Sequence, residues 1–110
     1  MEYTTAKPIK VSGWKARPYA QNGIPFTNHN GQLYGTWLTP SLYVVYSYGP
    51  HWPLFVYDAT LKLWYENEDR CSPTTSKHRS QTFPSAPTET RSCGWLKTYI
   101  NSVRFDRKAA

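Results

Sequence analysis

From Pro18 to Tyr57 the chain runs for 40 consecutive residues without an Asp, Glu, Lys or Arg. An unpaired ion is costly to bury, so a stretch that avoids charge for this long belongs in a core or an interface. Its first half is rich in turn formers: Asn22-Gly23 and Asn30-Gly31 offer positive-φ positions, and Pro25 restricts Ile24. Residues 1–32 are therefore read as an N-terminal extension followed by an ordered loop or short hairpin folded over a sheet. The second half reads as strands. Leu33–Thr39 is stopped by Pro40, and Leu42–Tyr48 places Leu42, Val44, Tyr46 and Tyr48 on one face with Tyr43, Val45 and Ser47 on the other. Apolar bulk on both faces predicts a central strand covered on each side. Gly49-Pro50 breaks it, Leu54–Tyr57 follows, and Leu61–Tyr65 alternates as a half-exposed strand. Joined by short turns, residues 33–65 make an antiparallel meander.

The chain is 110 residues and 12.7 kDa, the size of one domain. That excludes a TIM barrel and any enzyme carrying its own large cofactor domain. Aromatics make up 16% of the residues against 39% for all hydrophobic types, so the core is expected to be built from large rings. Residues 66–91 show no sustained period and read as a long basic Ser/Thr-rich loop. Beyond them Cys93, Leu96, Ile100 and Val103 recur at helical spacing, predicting an amphipathic helix over 92–103, capped by Thr88 or Ser92. The expected fold is a single α+β domain, a small antiparallel meander with a C-terminal helix packed against it.

The formal charge of +6 is unevenly placed: residues 1–33 carry +3, residues 34–69 carry −3 and residues 70–110 carry +6. Such a dipolar molecule is suited to docking an anionic partner on one face. Two cysteines, Cys71 and Cys93, permit one bridge at most and are read as thiols. No run approaches the roughly 18 apolar residues of a membrane span, and the N-terminus carries no apolar leader, so a soluble intracellular protein is expected.

One segment, Ser72–Gln81, packs five hydroxyls together with Lys77, His78 and Arg79. Thr74, Thr75 and Ser76 with the flanking cations have the chemistry to grip phosphate oxygens, or else to cap the turns of a solvated loop. With no period to force them inward, the Lys77, His78 and Arg79 side chains are expected to stay out of the core. His78, between two cations, is expected to be neutral at pH 7 and is the one candidate general base, which would need a nearby nucleophile and an orienting carboxylate. Asp58, Glu66, Glu68 and Asp69 are the carboxylates in range. Trp52 and Trp64, with Arg70 and the loop cations, compose a mixture that fits a stacking platform for single-stranded nucleic acid, the alternative being that the rings are core. Cys71, Cys93, His51 and His78 lack the paired spacing of a zinc knuckle, so neither metal nor cofactor is expected.

Tyr46, Ser47, Gly49, Pro53, Tyr57, Asp58, Trp64 and Tyr65, followed by Ser72, Thr74, Thr75, Ser76, His78, Gln81 and Pro84, form a recurring pattern. In it this chain resembles a group of small uncharacterised proteins and domains common in tailed bacteriophages. The resemblance covers about residues 31–84. It implies a phage or mobile-element origin and a place in the host-cell cytoplasm, and it carries no agreed activity.

The expected function is therefore that of a phage accessory protein acting by binding. Its partner would be nucleic acid or a host protein complex that handles nucleic acid, including a defence complex to be inhibited, and a homodimer is compatible with this. The alternatives are a small phosphoryl-transfer or hydrolytic enzyme using His78, and a virion or tail accessory protein.

Overall fold

The computed structural model describes residues 1–70 and 73–108. Strand β1 (Ile9–Lys10) is followed by a 3-10 turn (Gly13–Lys15), helix α1 (Arg17–Gln21) and strands β2 (Phe26–Thr27), β3 (Leu33–Thr39), β4 (Leu42–Ser47), β5 (Pro53–Asp58) and β6 (Leu63–Asn67). Helix α2 (Pro73–Thr82), strand β7 (Thr88–Arg91) and helix α3 (Cys93–Lys108) complete the chain. The strands form one sheet in sequence order, with Thr36, Val44, Val56, Tyr65 and Glu89 in one register row.

The meander over 33–65 is present, and β4 is buried along its whole length, as its two apolar faces require. The sheet as a whole is mixed. Its inner pairs are antiparallel, whereas β1 pairs with β2 and β6 with β7 in parallel. A parallel pair needs a crossover, and each crossover here carries a helix: α1 at one edge and α2 at the other.

Further expectations are corrected. Residues 66–91 are not a loop, because they hold α2 and β7. Residues 1–32 hold β1, the 3-10 turn, α1 and β2, and α1 opens with Pro18 in its first turn. The C-terminal helix is one of three α-helices among the described residues and continues to Lys108. The last strand of the meander starts at Leu63 because the Asp58 carboxylate accepts the Thr60 and Leu61 amides (2.9 and 3.1 Å), and Lys62 sits at φ 54°. Leu61 and Lys62 thus belong to the turn. Ser92, one of the two expected caps, does cap α3 by accepting the Trp95 amide at 3.1 Å, while Thr88 lies in β7.

Side-chain alternation divides the core in two. Phe26, Leu33, Tyr43, Val45, Phe55 and Trp64 meet Ala16 and Ala20 on one face, with Phe83 packed against them. Leu42, Val44, Tyr46, Val56 and Tyr65 meet Leu96, Ile100 and Val103 of α3 on the other. Of the two readings of the rings, platform or core, Trp64 takes the second: it is buried with Tyr43, Phe55 and Tyr57 around it.

Candidate functional site

Helix α2 has two polar sides. Thr75, His78, Arg79 and Thr82 recur at i, i+3, i+4 and i+7 and are buried, while Thr74, Lys77 and Ser80 face solvent and Ser76 is half-buried. Pro73 suits the first turn, where its missing amide costs no helical hydrogen bond.

The buried side is held by side-chain bonds to the sheet. Ser47 Oγ and His78 Nδ1 lie 2.8 Å apart, and the ring of Tyr48, a residue at φ 62°, stands 5.6 Å from the imidazole. Arg79 donates from Nη1 to Glu66 Oε2 (3.2 Å) and to the Asn67 carbonyl, and from Nη2 to the Asp69 carbonyl (3.0 Å). Of the four carboxylates in range of the segment, Glu66 therefore reaches Arg79, and Asp69 does so through its backbone. The Asp69 side chain accepts the Cys93 amide at 2.9 Å, and Asp58 accepts the Tyr99 hydroxyl.

Burial is the larger cause, and Lys77 the smaller, of a His78 pKa below the ordinary imidazole value of 6.5. The expected neutrality thus has burial as its main source, with one flanking cation adding to it. The unfolded chain then takes up a proton on this residue at higher pH than the folded one, so stability falls as pH drops through the window beneath 6.5. Thermal melts from pH 7.5 to 5, approximate limits spanning the usual imidazole range, should show a decrease in Tm. His78→Gln should flatten it, and an equal slope in that variant would assign the loss to other groups.

Ser47 and His78 resemble a nucleophile and base, but Ser47 is fully buried and His78 is 5% exposed. The pair ties α2 to β4 and presents no hydroxyl to a substrate in this conformation.

The outer side meets the opposite edge of the chain. Trp14 on the 3-10 turn is 67% exposed, and Lys77 Nζ lies over its ring, 5.7 Å from the centroid. Arg17 donates to the Ser80 carbonyl, Gln21 Nε2 donates to Ser85 Oγ at 2.8 Å, and the side chain of Gln81 packs on Gly13. Lys15 and Arg17 follow Trp14 in the chain, and both are exposed, as are Thr74 and Lys77 on α2. This face is built from two segments that hold no carboxylate: residues 3–57 and 70–88 contain no Asp or Glu.

Of the residues singled out from sequence, the fold thus places Thr74 and Lys77 on an open basic face. It places Thr75, His78 and Arg79 beneath it, against the expectation that the His78 and Arg79 side chains stay out of the core. Arg70 is exposed beyond β6, and Trp64 is in the core. Trp52 is half-buried, and its Nε1 and Arg79 Nε are buried donors without an acceptor among the described residues. Cys93 is a buried free thiol, Cys71 and Ser72 lie outside the described residues, and no three metal-ligating side chains converge among the described ones. Nor is any helix among them long and apolar enough to cross a membrane. Trp14, Lys15 and Arg17 lie outside the residues singled out from sequence. Comparison of the chain with protein-family models, curated proteins and solved structures finds no match.

Proposed function

We propose that this protein acts by binding and that it docks a nucleic-acid strand on the face formed by the 3-10 turn, α1 and α2. The observation that carries this reading is Trp14, two-thirds exposed with the Lys77 ammonium over its ring. An exposed indole offers a base a stacking surface, and Lys15, Arg17 and Lys77 supply the cations that follow a phosphate backbone. Thr74 adds a hydroxyl donor. The surrounding segments contribute no carboxylate to repel the strand. In the phage setting that the Tyr-Ser-x-Gly and Ser-x-Thr-Thr-Ser-x-His pattern implies, such a protein is an accessory factor in the host cytoplasm that competes for nucleic acid with the host machinery handling it.

The test is fluorescence anisotropy with a labelled thymidine oligonucleotide at several salt concentrations. Three cation contacts to a single strand give an expected slope of log affinity against log salt of about −2. Lys15→Glu combined with Lys77→Glu should weaken binding by about 2–3 kcal/mol and bring the slope below about 1 in magnitude. Both side chains are exposed, so the melting temperature of the double variant should stay close to that of the parent. Unchanged affinity in the folded double variant would remove this face as the binding site.

A further inference from the structure

Between α3 and the end of β4 lies a groove of about 130 Å³, lined by Tyr46, Pro50, Lys97, Ile100, Asn101 and Arg104. Ile100 belongs to the core beneath the helix, and Lys97, Asn101 and Arg104 follow at i, i+4 and i+7, one stripe along a single side of α3. All three are exposed. On the opposite wall Tyr46 is 5% exposed, and the Tyr34 ring stands 5.3 Å from its own.

The groove holds no acid and has donors to spare. Its walls come from residues 3–57 and 92–105, which contain no Asp or Glu. The acid of α3, Asp106, stands two positions after Arg104, and positions two apart do not share a helix face. Among the described residues neither Lys97 nor Arg104 enters an ion pair, and the Tyr46 hydroxyl and the Asn101 side chain make no hydrogen bond. Burial, and after it Tyr34, pushes the Tyr46 pKa up to about 12, while the Arg104 charge pulls it the other way. At neutral pH the phenol therefore keeps its proton and is a donor within reach of the Arg104 field.

We infer that this groove binds a phosphate dianion, free or as the monoester end of a small molecule. The two cations balance its two charges, the Arg104 fork matching a pair of phosphate oxygens and Lys97 acting as a point charge. They stand two turns apart, roughly 10 Å along the axis, so their long side chains close on an anion from either end, with the Asn101 amide between them and the Tyr46 hydroxyl opposite. A carboxylate would leave one cation unanswered. Pockets that enclose a drug-sized ligand start at roughly 300 Å³, so this groove takes the phosphoryl group and leaves the rest of an ester in solvent. The inference is independent of the nucleic-acid reading. Tyr46 and Ile100 pack on one face of the sheet, whereas Ala16 and Ala20, beside Trp14 and Arg17, pack on the other.

The experiment follows the amide resonances of the full chain at constant ionic strength and a pH of about 8, above the second phosphate pKa. Inorganic phosphate, ribose 5-phosphate and acetate are titrated separately. Both phosphates should move resonances of residue 46 and residues 97–104 and bind at least about tenfold more tightly than acetate. Tighter binding of ribose 5-phosphate identifies a monoester ligand, and equal binding of the two identifies free phosphate. Lys97→Gln with Arg104→Gln should weaken binding by about tenfold or more, and Tyr46→Phe by about threefold. Lys15→Glu with Lys77→Glu should leave it unchanged. If Tyr46→Phe fails to fold, the exposed Asn101→Ala reads the neutral donors in its place. Acetate binding as tightly as phosphate, or affinity retained in the folded Lys97→Gln, Arg104→Gln variant, would overturn the inference. So would equal shifts on α3 from a thymidine oligonucleotide without terminal phosphates, whose diesters carry one charge each.

Discussion

Arg79→Ala should cost about 3–5 kcal/mol, enough to leave a domain of ordinary stability partly unfolded at room temperature. The guanidinium is 7% exposed and donates to two main-chain carbonyls, of Asn67 and Asp69, as well as to the Glu66 carboxylate. Its removal strands all three acceptors under α2, and one of them carries a charge. Glu66 would keep a single bond, from the Thr88 hydroxyl at 2.9 Å. Arg79→Lys should recover part of the loss, since an ammonium restores the charge without the planar fork that reaches several acceptors. Glu66→Gln should cost less than Arg79→Ala, because the carbonyls stay satisfied. Urea unfolding followed by far-ultraviolet circular dichroism measures the series. A loss under about 1 kcal/mol for Arg79→Ala would mean that solvent replaces the guanidinium without penalty and that α2 is not anchored through it.

Gly35→Ala is the second large effect, expected at about 2–4 kcal/mol. A β-carbon built on Gly35 lies 2.3 Å from the Tyr43 hydroxyl and 2.6 Å from a ring carbon of Phe26, and both residues are fully buried. The tyrosine cannot swing away without giving up its bond to the Ile24 carbonyl, 2.9 Å long, which fixes the segment between α1 and β2. Burial also holds the phenol pKa far above its ordinary value, so ionisation offers no relief. In the background of Tyr43→Phe, where the clashing oxygen is gone, the same glycine substitution should cost measurably less. A double-mutant cycle with no coupling between the two positions would place the strain elsewhere.

The parts of this fold legible in the sequence are those where burial is written in apolar residues. Strand β4 declares itself because Leu42 through Tyr46 are apolar or aromatic on both faces, and α3 does so through Leu96, Ile100 and Val103. Helix α2 hides because its inward positions have the right spacing and the wrong hydropathy. His78 and Arg79 bury themselves by meeting Ser47 on β4 and Glu66 and Asn67 on β6, and Thr82 by donating to the His78 carbonyl of its own helix, a solution that an apolar periodicity does not register. The edge strands are equally quiet. Ile9–Lys10 is two residues long, and Thr88–Arg91 is exposed at its two central positions, so neither carries an alternating pattern of use. At the candidate site, Thr74 and Lys77 were legible as surface hydroxyl and cation. Trp14, Lys15 and Arg17 were not, because what brings them to α2 is a contact between two crossovers far apart in sequence.

That contact has a kinetic consequence. The crossover at each edge of the sheet can form only when its own parallel strand pair does, and parallel pairing over a long connection is slow. Lys77 becomes a neighbour of Trp14 only after both crossovers have docked. A chain still emerging from the ribosome, with the residues of α2 not yet released, has its first cations and its tryptophan but no assembled anion-binding face. Any polyanion that binds only the assembled face stabilises the folded protein in proportion to its concentration, by clamping the two ends of the sheet to one another.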